Sequence, residues 1–402
     1  MIEREKSWKR NAACFLTAQT VSLFGSSLAQ YAIVWYITLS TSSGKMLTLS
    51  TLCGFLPQIG ISLFAGGWID RYNRKLMIML PDILIALSTL ALALAFLSGR
   101  RQIWLLFAVL AVRSAGTGVQ TPAVNAAVPQ LVPREHLMRV SGINSTLSSI
   151  TMFLAPAASG ALMSVAPLEA ALMIDMVTAV LGVGLTALVR LRPQPKANGE
   201  GENGSGSAFS QLRAGFSYLR GSSFVKWLLA YQLAVLFLIS PSAFLTPLMV
   251  SRSFGPEVWR LTASEMTYSL GMVAGGLLIA SWGGFKRRLV TTRLAGAVYG
   301  LIMVGLGFAP SFYVYLALNA AIGITSPCYN SPITVSIQER VEPSMHGRVF
   351  SLLQISTACA LPLGMAVFGP LADLVRVQTL LIGAGCAVAV VSLGMFGCRE
   401  LD

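Results

Sequence analysis

Twelve apolar segments, each about the length of a membrane helix, follow one another along this 402-residue chain. Crossing a bilayer as a helix takes about 20 apolar residues, and in lipid a helix satisfies its own backbone polar groups. The series therefore predicts an all-α membrane protein of twelve transmembrane helices in two sets of six. The segments lie at about 12–37, 46–69, 76–97, 102–124, 140–165 and 168–189, then 226–250, 266–283, 290–308, 312–334, 350–371 and 378–397.

The composition agrees with lipid as the solvent. Hydrophobic residues make up 54% of the chain and charged residues 11%, whereas soluble domains carry about 25% charged residues. The first segment follows Lys9 and Arg10 and passes a small-residue site at Ala29, as a secretory signal would. Its apolar run continues through Ile37, so we expect it to be retained as the first membrane helix.

The distribution of Lys and Arg among the segments that connect the spans predicts the orientation of the chain in the membrane. With the N-terminus in the cytoplasm, 22 of the 29 Lys and Arg residues fall on cytoplasmic segments and six on outer ones, and Arg113 lies within a span. Cytoplasmic loops of membrane proteins carry this excess. We therefore predict a multi-pass protein of the bacterial inner membrane with both termini in the cytoplasm. The net charge of +13 is then an orientation signal, and no nucleic-acid partner is expected.

Residues 193–208 are rich in Pro, Gly, Asn and Ser and predict a flexible linker. Apolar residues at helical spacing follow in 209–226, which suits either a short helix on the membrane surface or an ordered polar loop. The expected organisation is an N-terminal six-helix bundle at 1–190, a cytoplasmic linker at 191–225 and a C-terminal six-helix bundle at 226–402.

The two halves repeat each other in order. Repeats of equal topology predict two bundles related by an axis along the membrane normal. At one offset in spans 1 and 7 and another in spans 4 and 10, the matching pairs are Gln19 and Gln232, Phe24 and Phe237, Gly118 and Gly323, Pro122 and Pro327, and Asn125 and Asn330.

A cytoplasmic motif follows span 2 and reads GGWIDRYNRK over residues 66–75. It resembles the signature G-x-x-x-D-R-x-G-R-[RK] of the major facilitator superfamily, with Asn73 in place of the usual Gly. Asn tolerates a left-handed backbone, so we expect Asn73 to adopt it, and Gly66 to admit a close helix neighbour. The resemblance implies the major facilitator fold and a cytoplasmic gating motif made of Gly66, Asp70, Arg71, Arg74 and Lys75.

Further segments narrow the resemblance to a branch. Arg113 in span 4 is similar to the family motif R-x-x-x-G, with the glycines shifted to Gly116 and Gly118. Pro156 with Gly160 in span 5 resembles a degraded antiporter motif G-P-x-x-G-G. Over its full length the chain is similar to the proton-driven drug exporters that include macrolide efflux proteins. The same branch contains siderophore exporters and lysophospholipid carriers, and these alternatives stay open, as do import and a non-transporting membrane receptor.

Two carboxylates lie within apolar spans, Asp175 in span 6 and Asp82 in span 3. An ionisable group in a membrane helix is costly unless it faces a cavity or a partner. The two carboxylates with Arg113 are therefore predicted to couple transport to protons, with structural hydrogen bonds as the alternative.

By resemblance, spans 1, 4, 7 and 10 line the substrate cavity. Amides with aromatic rings suit a large, mainly apolar or amphipathic substrate, although each residue also suits helix–helix packing. The expected cavity residues are Gln19, Phe24, Gln30, Gln232, Phe237, Tyr329 and Asn330.

No grouping of residues suggests enzyme or metal chemistry. The six cysteines form no C-x-x-C pair, and no phosphate-binding loop G-x-x-x-x-G-K-[ST] occurs. We therefore expect no catalytic residue, metal or cofactor, and energy drawn from a proton gradient. The expected protein is a monomer surrounded by membrane lipid.

Overall fold

The computed structural model describes residues 2–189, 222–342 and 345–397, and every regular element within these ranges is helical. Two 3₁₀ turns, Arg134–His136 and Met395–Gly397, accompany the α-helices. The α-helices are α1 (Ile2–Thr41), α2 (Gly44–Arg71), α3 (Arg74–Leu97), α4 (Ile103–Leu131), α5 (Leu137–Val165), α6 (Leu168–Leu188), α7 (Ser223–Phe244), α8 (Thr246–Ser253), α9 (Val258–Trp282), α10 (Arg288–Gly307), α11 (Phe312–Arg340), α12 (His346–Leu371) and α13 (Val377–Gly394).

Nine helices of the described ranges are long and apolar enough to cross a membrane. Helices α2, α9 and α11 coincide with predicted spans 2, 8 and 10 and have 28, 25 and 29 residues, and they are not among those nine. The all-α membrane architecture is confirmed, and the count of twelve spans stays a prediction.

Predicted span 7 is divided between two helices. Helix α7 ends at Phe244, and α8 begins at Thr246 with a proline in its first turn. Pro247 has no N–H to donate, which costs nothing at the start of a helix. The Thr246 hydroxyl donates to the carbonyl of Ser242 across the break at 2.7 Å.

Contacts divide the chain into two compact units. The first contains residues 1–40 and 49–198, and the second contains 41–48 and 199–402. The short segment 41–48 thus belongs with helices far along the chain. The predicted linker and surface helix fall largely on residues 190–221, which lie outside the described ranges, so the predicted domain boundaries remain predictions.

Glycines bring α2 against α4 and α9 against α11. A Cβ at Gly118 would meet the backbone of Gln58 at 2.8 Å in the first unit. In the second unit, a Cβ at Gly323 would overlap the backbone at Tyr268. Small residues at such crossings let helix backbones approach closely. The matching glycines of the two halves therefore make the same kind of contact.

The crossing of α9 and α11 offers a matched pair of glycines. A Cβ at Gly275 would overlap the backbone of Ile324, whereas a Cβ at Gly276 would meet no atom of the described residues within 4 Å. We expect Gly275→Ala to lower the free energy of unfolding by about 1–3 kcal/mol through overpacking. Gly276→Ala should be neutral or stabilising by up to about 1 kcal/mol, because alanine is the better helix former. Thermal unfolding in detergent would compare the two; equal losses would contradict the crossing.

The start of α2 is capped from the end of α12. The carboxylate of Asp373 accepts from the backbone N–H of Gly44 at 2.6 Å and of Lys45 at 3.0 Å. It also accepts from the Ser43 hydroxyl at 2.9 Å and from Arg252 Nη2 at 3.0 Å. Partial burial raises the pKa of Asp373, but these four donors together lower it below its usual value. The carboxylate satisfies N–H groups that the first turn of a helix leaves free.

Replacing Asp373 with asparagine should cost about 1–2 kcal/mol of stability, since a charged helix cap is lost. Because folding lowers the pKa of Asp373, its contribution is full at neutral pH. It should fade as pH falls below about 4, the usual value for Asp. Unfolding midpoints of the two proteins at several pH values would measure this, with Glu339→Gln as control, because Glu339 pairs with Arg288 at an exposed site. A difference that grows with acidity would contradict the cap.

Candidate functional site: a buried charge network

Four polar residues on α3 and α4 recur at a spacing of seven. Asp82 and Thr89 lie on α3, and Arg113 and Gln120 lie on α4. Seven residues are close to two helical turns, so each pair shares one face and is separated by about 10 Å along the axis. The two helices run antiparallel through a short connection, which places Thr89 beside Arg113 and Asp82 beside Gln120. The result is two polar layers inside the first unit.

One of the two layers contains an ion pair between Arg113 and Asp175. Arg113 Nη1 donates to Asp175 of α6 and, at 2.9 Å, to the Thr89 hydroxyl. Arg113 Nη2 donates to the carbonyl and hydroxyl oxygens of Ser26 on α1 at 2.7 and 3.1 Å, and the Thr89 hydroxyl donates to Asp175 at 3.1 Å. Arg113 is 4% exposed and Asp175 1%. Four helices therefore meet at one buried guanidinium and its counter-ion.

The other layer centres on Asp82, which is 4% exposed. Its carboxylate accepts from the Ser22 hydroxyl at 3.0 Å and from the Gln120 amide at 2.8 Å. Both donors are neutral. Asp82 lies near enough to Arg113 and Asp175 to interact with each electrostatically. With Asp82 ionised, the two layers together hold one positive and two negative charges.

The basic end of the GGWIDRYNRK motif connects helices of the first unit. Arg74 donates to the carbonyl of Ala126 at 3.0 Å, and Lys75 Nζ donates to the carbonyls of Ala187 and Val189 at 2.5 and 3.1 Å. Cations beside the carbonyls that end a helix are favourable. The side chains of Asp70 and Arg71 lie outside what the structure describes, so their gating role stays a prediction.

The expected left-handed backbone at Asn73 is wrong. Asn73 has a φ of −65° and caps α3, its side chain accepting from the N–H of Lys75 at 2.9 Å. An extended cap needs no left-handed backbone, so asparagine is used here for its hydrogen bond. A Cβ at Gly66 would meet no described atom within 4 Å, so the expected close helix approach at Gly66 stays a prediction.

The second unit places polar side chains around a small cavity. The Tyr329 hydroxyl donates to the Gln232 amide oxygen at 3.1 Å, and the Tyr231 hydroxyl donates to Ser392 at 3.1 Å. A cavity of about 30 Å³, large enough for a water molecule, adjoins them. It is lined by Val235, Leu236, Ile239, Gly296, Tyr299, Ser326, Tyr329 and Asn330.

Comparison with known proteins decides the family. The sequence profile described as Major Facilitator Superfamily matches residues 15–364. The chain belongs to the Major Facilitator Superfamily. It is accordingly a multi-pass membrane transporter, and the resemblance seen in its motifs is confirmed.

Named relatives of this superfamily member are efflux proteins. It is 29% identical to Macrolide efflux protein A of Streptococcus pyogenes over 406 residues, covering all of both chains. It is 22% identical to the Multidrug efflux pump Tap of Mycobacterium bovis, covering 97% of this chain and 94% of that one. The structure of a bacterial homologue of the iron transporter ferroportin matches with a TM-score of 0.69 and 18% identity, covering 96% of this chain and 99% of the other. That last likeness shows the fold alone.

The residues predicted to line the substrate cavity of this chain differ in what they contact. In the first unit, Gln19 has a buried amide nitrogen that finds no partner among the described residues. Phe24 packs against an apolar cluster, and Gln30 lies near Gly54 of α2. In the second unit, the ring centres of Phe237 and Phe368 are 5.6 Å apart. The Asn330 amide donates to the carbonyl of Ser326, one helical turn earlier, at 3.1 Å. Their role toward substrate stays a prediction.

The degraded antiporter motif lies on the buried side of α5. Pro156 and Gly160 are buried, as is Ser159 between them, whose hydroxyl finds no partner among the described residues. Small residues around a proline suit close packing as well as a flexible helix. The structure places these residues in the packed interior, and their link to antiport remains a prediction.

Two charged residues escaped the sequence analysis. Arg293 was counted with the cytoplasmic cations, but it lies in α10 at 1% exposure, with its guanidinium 5.2 Å from the Phe396 ring centre. Glu265 was placed before predicted span 8, whereas α9 begins at Val258 and contains it. The sequence signal available was the polar, aromatic stretch 258–265, which a hydropathy window reads as a loop.

Proposed function

We propose that this transporter exports hydrophobic or amphipathic drugs of the macrolide kind across the bacterial inner membrane in exchange for protons. Its relatives named for macrolide and multidrug efflux support the substrate class. The buried network of Asp82, Arg113 and Asp175 carries the coupling proposal.

The arrangement of charges in the network favours Asp82 over Asp175 as the carboxylate that carries the proton. A proton on Asp175 would leave the Arg113 guanidinium buried without its adjacent counter-ion, which is strongly unfavourable. A proton on Asp82 would leave that ion pair intact and would bring the network to zero net charge. Asp82 is therefore the proposed proton carrier, and Asp175 is the group that keeps Arg113 charged and in place.

Transport would proceed by alternating access, with residues 1–190 rocking against 222–402. Protonation of Asp82 removes the unbalanced charge of the two polar layers and so changes the cost of burying them. Asp70 and Arg71 would govern closure on the cytoplasmic side, where both termini are expected. The proton gradient would be the sole energy source, and one chain would suffice.

Inverted membrane vesicles test this function directly. After respiration has acidified their interior, erythromycin should release protons and dequench a pH-sensitive dye in vesicles that contain the protein. Vesicles without the protein should give no signal. A silent response to macrolides together with a response to a siderophore or a lysophospholipid would reassign the substrate. Uptake of macrolide without any proton movement would remove the antiport proposal.

A further inference from the structure

Helix α9 carries a carboxylate that the charge network does not use. Glu265 lies seven residues after Val258, which is about 10 Å along the helix axis. Its helix packs against α11 at Ser264, whose carbonyl accepts from the Asn319 amide at 2.6 Å. Glu265 is therefore inside the helical part of the second unit.

The side chain of Glu265 lies on a different face of α9 from the two most exposed leucines of that helix, and about 80° from the exposed Val273. Leu270 and Leu277 are 54% and 68% exposed, as residues that face lipid would be. At about 100° per residue they lie about 140° and 120° around the helix from Glu265. Tyr268, three residues on, shares the side of Glu265. The residue itself is half-buried.

No described residue balances the charge of Glu265. It makes no hydrogen bond or ion pair within the described ranges, whereas Asp175 of the first unit has a guanidinium. The nearby Arg260 is held by Glu257 at 3.1 Å, and its guanidinium lies 5.4 and 5.6 Å from the ring centres of Trp259 and Phe312.

Two tyrosines flank the carboxylate. The hydroxyls of Tyr268 and Tyr315 are near enough to Glu265 to interact with it electrostatically. The Tyr315 ring is 1% exposed and lies 5.4 and 6.4 Å, centre to centre, from the rings of Phe254 and Phe312, which hold it in place. Aromatic faces attract cations, so the surroundings of Glu265 suit an organic cation better than a small anion or a neutral group.

We propose that Glu265 is the anionic anchor of a binding site for the protonated amine of an amphipathic substrate, with the rings of Tyr268 and Tyr315 beside it. A carboxylate within a membrane protein is costly when it lacks a partner, and a bound ammonium supplies the missing charge. This inference rests on the proposed function, because it assigns part of the substrate to one residue.

Two macrolides that differ in charge test the assignment. Erythromycin has a dimethylamino group that is protonated at pH 7, and its N-demethyl-N-acetyl derivative is neutral. Binding of both to the purified full chain would be measured for wild type, Glu265→Gln, Glu265→Asp and the control Glu339→Gln. Glu265→Gln should weaken erythromycin at least 10-fold and the neutral derivative less than 2-fold. Glu265→Asp should retain most of the preference for erythromycin, and Glu339→Gln should behave as wild type.

The other outcomes separate the two proposals. Equal weakening of both macrolides by Glu265→Gln would make Glu265 a structural residue and overturn the assignment. An unchanged affinity for erythromycin would overturn it as well, while leaving macrolide export in place. Wild-type protein that binds neither macrolide would overturn the proposed substrate class and this assignment together. Thermal unfolding midpoints of the variants within about 2 °C of wild type would exclude misfolding as the cause.

Discussion

Asp175→Asn is expected to lower the free energy of unfolding by about 3–5 kcal/mol, because it leaves a buried guanidinium without its counter-ion. Arg113 reaches oxygens on three other helices, so the uncompensated charge would disturb the junction of α1, α3, α4 and α6. The folded yield of a fluorescent-protein fusion and the thermal midpoint in detergent would measure the loss.

A double variant separates the ion pair from the packing around it. Arg113→Met combined with Asp175→Asn removes both charges of the pair and should recover most of the stability lost in the single variant, since the guanidinium is then no longer buried without its counter-ion. Glu339→Gln is a suitable control, because Glu339 pairs with Arg288 at 3.4 Å with both side chains exposed, and exposed pairs contribute about 0–1 kcal/mol. A double variant no more stable than Asp175→Asn would show that the pair is not the cause.

Asp82→Asn is expected to reduce drug-driven proton release at least 100-fold while leaving macrolide exchange intact. Asparagine has nearly the same shape as aspartate and keeps an oxygen that accepts from Ser22 and Gln120, but its amide does not bind and release a proton as a carboxylate does. Proton release would be followed with a pH-sensitive dye in inverted vesicles. Exchange of labelled for unlabelled erythromycin across the same membranes, without a pH gradient, would report binding and reorientation.

Glu135→Gln provides the matched control, since Glu135 is an exposed carboxylate in the turn before α5. It should leave both proton release and exchange unchanged. Persistence of proton release in Asp82→Asn would move the proton to another group. Loss of macrolide exchange as well would show that Asp82 is needed for the fold or for binding, and would contradict a role restricted to the proton.

Most helices could be predicted because apolar length alone sets them. Predicted spans 4 and 10 ended too early, at 124 and 334, since prolines and polar residues lower a local hydropathy average. The helices continue to Leu131 and Arg340 with Pro129 and Pro332 inside them. Packing in the folded protein decides such ends, and a sequence window does not contain it.

The charge network could be predicted in part. The spacing of seven between Asp82 and Thr89, and between Arg113 and Gln120, indicates a shared face for each pair. The spacing does not say which helices meet, so the joining of Arg113 to Asp175 needed the structure. The conformation of Asn73 could not be predicted either, because asparagine suits both a left-handed turn and an extended helix cap. The structure shows the cap, in which the Asn73 side chain accepts from the N–H of Lys75.

The cap that Asp373 forms on segment 41–48 affects the order in which parts of the protein can fold during synthesis. The Gly44 amide that is capped by Asp373 emerges from the ribosome 329 residues before its acceptor. The first turn of α2 must therefore wait for nearly the whole chain to be synthesised before this cap can form. Polypeptides cut between the two halves would separate Gly44 from Asp373 as well, so the fragments should need each other to complete this corner of the second unit.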